Sequence, residues 1–222
     1  QGSCTVTAPS HSNNRWVSWL ITVMCFMVIT MLNTVPADSA TFNIGTADGS
    51  FESGLGGMTP GGDVSLVSNL GILQAPGGSQ ALLMTTAPDD GSTPADADAS
   101  TLLIEAFEIG AEYATLRLDY NFLTDEPQPS FTNDAFTVRL VLVTAGGEEH
   151  LLSVDTFTDF FPAPWTGYAG QSGFRSLIAD VSAHAGSGDI VSLELRVADI
   201  GDGRRNSAVL VDNLRLVEPG YP

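Results

Sequence analysis

The sequence predicts an all-β domain of two antiparallel sheets packed face to face, preceded by an N-terminal apolar helix. Three observations predict it. Beyond residue 40, apolar and polar side chains alternate with period two, so most segments carry one dry face and one wet face. Turns rich in Gly, Asp and Pro separate these segments, and the 222 residues hold 23 Gly and 12 Pro. No amphipathic helix is written between them, as a parallel α/β sheet would require. Hydrophobic residues make up 43%, enough to fill the core of one ordinary domain.

The N-terminal segment is the first element. Arg15 precedes an apolar run over 16–32, followed by Val35-Pro36-Ala37 and Asp38-Ser39-Ala40. One positive residue, an apolar stretch and small residues at its end describe an export signal, so 1–40 is assigned to signal and leader. Cleavage after Ala37 would put Val35 and Ala37 at the small-residue positions. A retained membrane anchor is the alternative, since the run sits at the lower edge of a spanning length. Cys4 and Cys25 both lie in this segment. The remaining chain therefore has no disulfide, no thiolate metal site and no cysteine nucleophile. Trp16 and Trp19 lie there too, which leaves Trp165 as the domain's only tryptophan.

The strands follow in order. Candidates are 41–44, 64–68, 80–86 and 101–109, then the segment in which Leu116, Leu118, Tyr120 and Phe122 share one face. Phe136, Val138, Leu140 and Leu142 repeat the pattern, and 149–157 and 175–181 continue it. Val191, Leu193, Leu195 and Val197 form the next face, and 208–217 the last strand. The irregular stretches are 87–100, acidic and proline-containing, and 159–173, dense in aromatic rings. The domain is thus expected over 41–217, with 218–222 as a tail.

Charge narrows the partners. Acids number 26 against 8 bases, all of them Arg, for a net charge of −18. Such a chain repels phosphate backbones and anionic lipid heads, which excludes nucleic acid, and any membrane association beyond the export signal. It favours solubility and divalent cations.

Several acids fall where apolar residues belong. On the last strand Leu210, Leu214 and Leu216 face inward by parity, and Asp212 has the same parity. Glu126 continues the Leu116–Phe122 face, and Asp134 precedes the Phe136–Leu142 face. A buried carboxylate needs hydrogen bonds or a cation. Calcium takes six to eight oxygens and suits acids at strand ends. Asp199 and Asp202 form another oxygen-rich group, as do Asp96 and Asp98, although Asp-Gly pairs also simply make turns. None has the spacing of an EF-hand or a nonapeptide calcium repeat. For Asp212 a carboxylate tying strand to loop and a metal ligand both stay open.

Asp48-Gly-Ser-Phe51-Glu52-Ser-Gly54, followed by Gly61-Gly62-Asp63-Val64, resembles the opening of exported bacterial jelly-roll modules of the carbohydrate-binding type. The closing Ser207-Ala-Val-Leu-Val-Asp212-Asn213-Leu214 is similar to their terminal strand. Tyr120–Glu126 and Phe131–Phe136 are similar to their central strands. The resemblance implies a jelly-roll β-sandwich with a structural calcium shared by a first-strand Glu and a last-strand Asp, here Glu52 and Asp212. Those openings carry a Trp shortly after the Phe-Glu pair, where this chain has Met58.

Catalytic sets are not legible. Beyond the signal the only histidines are His150 and His184, with no Gly-x-Ser-x-Gly elbow and no His-Glu-x-x-His. No run of alternating acids marks a glycoside hydrolase strand, and Glu105, Glu108 and Glu148-Glu149 read as solvated. The aromatic loop is the best ligand candidate. Phe160, Phe161, Trp165 and Tyr168, with Phe157 and Phe174 near them, offer flat faces that stack on sugar rings or else fold inward to cap the sandwich. The expectation is a secreted or cell-surface, calcium-stabilised β-sandwich that binds glycan or joins a surface or matrix assembly. A purely structural surface module is the alternative, and a polysaccharide-cleaving enzyme the third reading.

Overall fold

A computed structural model of the chain describes residues 40–41, 43–45, 47–86, 99–126, 134–156, 160–200 and 206–220. The segment read as signal and leader, apart from residue 40, and Asp96, Asp98, Phe157 and Asp202 lie outside the described residues. Within them every regular element is a strand.

The chain opens with β1 (Ala40–Thr41) and the small ribbon β2 (Asn43–Ile44) with β3 (Ala47–Asp48). Next come β4 (Met58–Gly61), β5 (Asp63–Val67) and a second ribbon, β6 (Asn69–Leu70) with β7 (Leu73–Gln74). Long strands follow: β8 (Ala81–Thr85), β9 (Ala99–Glu108), β10 (Thr115–Thr124), β11 (Ala135–Leu142) and β12 (Glu148–Asp155). A third ribbon, β13 (Phe161–Pro162) with β14 (Gly170–Gln171), leads to β15 (Arg175–Asp180), β16 (Ile190–Ala198) and β17 (Ser207–Val217).

Two antiparallel sheets result. One runs β13-β14-β10-β17-β8-β5, with β15 beside β10 and β1 beside β17. The other runs β12-β11-β16-β9-β4. Strands distant in sequence are neighbours in each sheet, because sealing both inner faces at once needs connections that cross from sheet to sheet.

Period-two alternation decides what fills the space between the sheets. Leu116, Leu118, Tyr120 and Phe122 face it from β10, Phe136, Val138 and Leu140 from β11, and Val191, Leu193, Leu195 and Val197 from β16. Each of these residues is buried. Tyr120 and Phe136 meet across the layers with ring centroids 5.7 Å apart and tilted planes, a favourable aromatic geometry. Burying one such side chain contributes about 1.5–3 kcal/mol.

A second, smaller apolar cluster lies on the outer face of the first sheet. Ala81, Leu123, Ala208 and Leu210 form it, and Val67, Leu70, Leu73, Ala75, Leu83 and Tyr168 pack over them. The sheet is therefore dry on both faces at its centre, and β17 is buried continuously from Ser207 to Asp212.

This corrects the parity expected for the last strand. Val209 and Val211, not Leu210, face the main core, together with Leu214 and Leu216. Leu210 and Asp212 point to the opposite face. The cause is a bulge: Arg117 pairs with Arg215, but Asp119 pairs with Asp212, so β17 carries one extra residue. Asn213 sits there at φ 53°, and an inserted residue flips every side chain beyond it. Asn is among the few non-glycine residues that tolerate this conformation.

Several short strands lie outside the expected segments. β4 contains Pro60 and lies at a sheet edge paired only with β9, where a missing N–H is tolerated. β13 and β14 form a ribbon inside the stretch read as irregular. β12 begins at Glu148, one residue before the expected 149–157 segment, and both of its glutamates are exposed as expected.

The bulge makes a measurable claim. Replacing Asn213 with Val, which is β-branched and disfavours positive φ, is expected to destabilise the domain by about 1–2 kcal/mol in urea unfolding. Asn213→Gly should cost less than Asn213→Val. Equal costs would mean that the backbone conformation at this residue is not what holds the register.

Candidate functional site

Three groups of residues gather the candidate chemistry. The first is a carboxylate latch beside the bulge. Asp48 accepts the N–H groups of Ser50 and Ser53 at 3.0 and 3.1 Å, which curls residues 48–53 into a tight turn. That turn drives Phe51, at φ 60°, into the core and leaves Glu52 outside. Glu52 thus lies in a turn and not on a first strand. Its Oε1 accepts from Ser79 N at 2.7 Å and Gln80 N at 2.9 Å, and Oε2 from the Ser79 hydroxyl. Gly78 takes φ 73° here, a conformation that favours glycine, and a Cβ on it would lie 2.3 Å from Glu52 Oε1 and displace that carboxylate.

Asp212 reaches the same loop from the other side. Gly77 N donates to Oδ2 at 2.8 Å and Asn213 N to Oδ1 at 2.7 Å. Asp119 stands opposite on β10, held by Ser176 Oγ and Asn213 Nδ2. Burial pushes the Asp212 carboxyl up to about 6; the two amide hydrogen bonds oppose this, and the charges of Asp119 and Glu52 reinforce it. Glu52 is solvent-exposed and its carboxyl is lowered, chiefly by the Ser79 hydroxyl and then by the loop amides. Among the described residues these acids are held by hydroxyls and amides, a donor set whose chemistry suits a hard cation. Among the described residues no three acids or histidines stand close enough to form a metal cage.

The second group lies at one rim of the sandwich. Asp134 is fully buried, accepting Ser207 Oγ at 2.6 Å and Ile200 N at 3.1 Å. Ser207 is tied in turn to Thr86, which accepts its N–H at 2.8 Å. Burial raises the Asp134 carboxyl against these donors; Glu126 adds repulsion, and a hydrogen bond with Asp199 lowers it. The sequence-predicted acids therefore divide into Glu52 with Asp212 and Glu126 with Asp134 and Asp199. Ser207 and Asp212 are five positions apart on β17, about 17 Å at strand spacing, so the two groups cannot share one ion.

The third group is the aromatic loop. Phe160 turns inward against Phe122, centroids 5.8 Å apart. Tyr168 folds over the outer apolar cluster, and its hydroxyl is pushed up to about 12, mainly by burial and then by Asp125 and Asp63. Phe161 is 60% exposed and Trp165 82% exposed. Two of these four rings therefore pack against the sheets and two face water.

Trp165 is held out by its turn. Thr166 N donates to Ala163 O at 3.4 Å and Thr166 Oγ1 at 2.7 Å, closing residues 163–166 around Pro164. Pro fits the second position of such a turn. Trp165 occupies the third at φ 67°, where Gly is usual. Gly71 lies against this loop, and a Cβ on it would fall 1.8 Å from Trp165 O. The β6–β7 ribbon and the aromatic loop are therefore locked together.

Beside Phe161 a cavity of about 260 Å³ opens, lined by Thr124, Glu126, Phe160, Phe161, Pro162, Ala169 and Gly170. It joins a residue read as a metal ligand to two read as ring-stacking residues. Sequence reasoning missed this meeting and also missed Asp125, whose Oδ1 accepts Ala169 N at 2.9 Å and anchors the loop to the end of β10. The histidines lie elsewhere: His150 is 3.1 Å from Glu148 and His184 is 3.0 Å from Glu149.

No family model matches the chain, and no curated protein matches it. Among solved structures it is similar mostly to carbohydrate-binding modules. One is a family 28 module described as specific for non-crystalline cellulose: 17% identity, 77% of this chain and 93% of that one covered, TM-score 0.48. Another is the C-terminal family 22 module of Clostridium thermocellum Xyn10B, at 14% identity, 84% and 99% coverage and TM-score 0.45. A third, TmCBM27, described for mannan recognition, is 15% identical, with 73% and 88% coverage and TM-score 0.37.

The latch has a pH signature. Because folding raises the Asp212 carboxyl, its proton stabilises the folded state fully below pH ~4, and this contribution is lost as pH rises through about 6. In calcium-free buffer Asp212→Asn is expected to match the parent near pH 4. Near pH 8 the variant should be more stable, by up to about 3 kcal/mol, at ~1.4 kcal/mol per pH unit. A pH-independent difference in urea unfolding would show that Asp212 does not titrate as its surroundings dictate.

Proposed function

We propose that this chain is an extracellular glycan-binding module, secreted or displayed at a cell surface, with the 160–171 loop as its binding face. Trp165 carries the reading. A tryptophan 82% exposed loses the burial that ordinarily holds the residue in place. Here it also occupies a left-handed conformation that costs about 1–2 kcal/mol for a residue with a side chain. A ring kept in water on a strained, rigidly packed turn suits a surface that stacks on the apolar face of a sugar. Phe161 adds a second exposed ring beside a cavity of about 260 Å³.

The reading includes a structural calcium held by Glu52 and Asp212, the two carboxylates that meet on loop 77–80. Support comes from their setting: Asp212 is buried beside Asp119 and Glu52, and its hydrogen bonds come from backbone amides alone. Positive charge at that point would offset the repulsion. The ion would be structural, tying the 48–53 turn and loop 77–80 to β17.

Two measurements test these claims. Trp165→Gly is expected to lower oligosaccharide affinity at least about tenfold on a glycan panel, a loss of ~1.4 kcal/mol, while the melting temperature stays level or rises. If the parent chain binds no glycan, the purely structural reading takes its place. Calcium is expected to raise the melting temperature by more than about 3 °C, the shift that ~1 kcal/mol produces in a domain of this size, and EDTA to reverse it. An unchanged melting temperature removes the ion.

A further inference from the structure

We propose that the glycan-binding face spans two loops: Ile72, at the tip of the β6–β7 hairpin, is a second contact residue that meets the bound sugar chain beside Trp165. The inference rests on the glycan-binding reading and extends it to a residue outside the aromatic loop.

The hairpin itself gives no structural reason for this side chain. Leu70 pairs with Leu73, so Gly71 and Ile72 alone form the turn. Gly71 takes φ 60° and Ile72 does not share a positive φ, which is the pattern of a type II′ turn. Such a turn needs glycine first and commonly takes Asn, Asp or Ser second. Leu70 and Leu73 pack over the outer apolar cluster. Ile72 is instead 61% exposed, a branched aliphatic side chain where a polar one is usual.

Nor does Ile72 stand alone on the surface. A Cβ on Gly71, its neighbour, would fall 1.8 Å from Trp165 O and 3.1 Å from Thr166 N. The hairpin tip therefore lies against the backbone of the aromatic turn, and two exposed apolar side chains flank that seam. Single exposed apolar residues are ordinary, whereas adjoining ones mark a contact surface. Both loops are seated on the same cluster, through Leu70 and Leu73 on one side and Tyr168 on the other. A face fixed in this way loses little freedom when a ligand arrives.

Charge says what the surface receives. The chain carries 26 acids and 8 bases, yet residues 64–88 and 160–174 hold none of them. The two loops that meet at Gly71 and Trp165 belong to those two segments. Asp63 and Asp125, whose charge reaches Tyr168, accept hydrogen bonds from Thr85 Oγ1 at 2.6 Å and Ala169 N at 2.9 Å. Asn69 and Gln74, exposed and paired on the hairpin, supply uncharged amide donors and acceptors. A neutral sugar chain has the matching chemistry, hydroxyl edges and apolar C–H faces without charge. A polyuronate, an anionic lipid surface or a second copy of the chain meets a net charge of −18.

The test titrates the full chain calorimetrically with β-1,4-linked hexamers of glucose, xylose and mannose, and repeats the titration on variants with the hexamer that binds best. Ile72→Ser is expected to weaken that hexamer about fivefold, and Ile72→Leu, which keeps the apolar surface, to stay within about twofold of the parent. Both variants should melt at the parent temperature, because the side chain is exposed at a hairpin tip. Unchanged affinity in Ile72→Ser overturns this inference, and a loss in Trp165→Gly in the same experiment leaves the glycan reading standing. A parent chain that sediments as a dimer, and that Ile72→Ser returns to monomer, also overturns it, since the patch then joins two copies. Failure of all three hexamers to bind overturns both readings.

Discussion

The structure depends on one strand having to be dry on both faces. β17 pairs with β10 along its length on one side, and with β8 and then β1 on the other. From one face Val209, Val211, Leu214 and Leu216 enter the main core. From the other, Ala208 and Leu210 support a second cluster beneath loop residues. A strand sealed this way can keep polar side chains only where hydrogen-bond partners meet them. Ser207 and Asp212 are those side chains, and each marks a place where other parts of the chain are tied down.

These two ties organise the loops that carry the candidate chemistry. At the Asp212 end, Glu52 and Asp212 grip loop 77–80 from opposite sides, which closes the segment between β7 and β8 over the sheet. At the Ser207 end, the Asp134 carboxyl collects Ser207 and Ile200, so the ends of β10, β11, β16 and β17 converge on one acid-rich rim. The aromatic loop sits between them. Tyr168 and the β6–β7 ribbon share the outer apolar cluster, and the contact of Gly71 with the Trp165 backbone fixes their mutual position. Hydrophobic covering of the outer face and presentation of Trp165 go together: the packing of Tyr168 on the outer cluster and the burial of Ala163 hold the turn that carries Trp165.

Much of the fold was legible because period-two patterning is a direct record of which face is wet. The inward sets on β10 and β16 were read correctly, as was that on β11 except that Leu142 is only partly buried. β4 was not, since Met-Thr-Pro-Gly shows no alternation and ends in Pro and Gly, both depleted in strands, and it is a strand because β9 offers it an edge. The acids were legible as anomalies: Asp212, Asp134 and Glu126 stood out as carboxylates at apolar parity, and all three are buried. The face of Asp212 was misread, because parity carried through Asp212-Asn213 assumes an unbroken ladder. The signal was present in Asn213, a residue that tolerates positive φ, in the middle of an apolar run.

Sequence alone determined the sheet architecture, the acidity, the position of the unusual carboxylates and the density of rings over 159–173. Each follows from residue type at a given spacing, which is local information. Tertiary structure alone decided which rings turn inward and which stay in water, that Glu126 shares a cavity with Phe160 and Phe161, and that Glu52 and Asp212 meet on one loop. Those outcomes join residues 34 to 160 positions apart. They are set by how a bulged, doubly buried strand arranges the segments packed against it, and no periodicity along the chain records that.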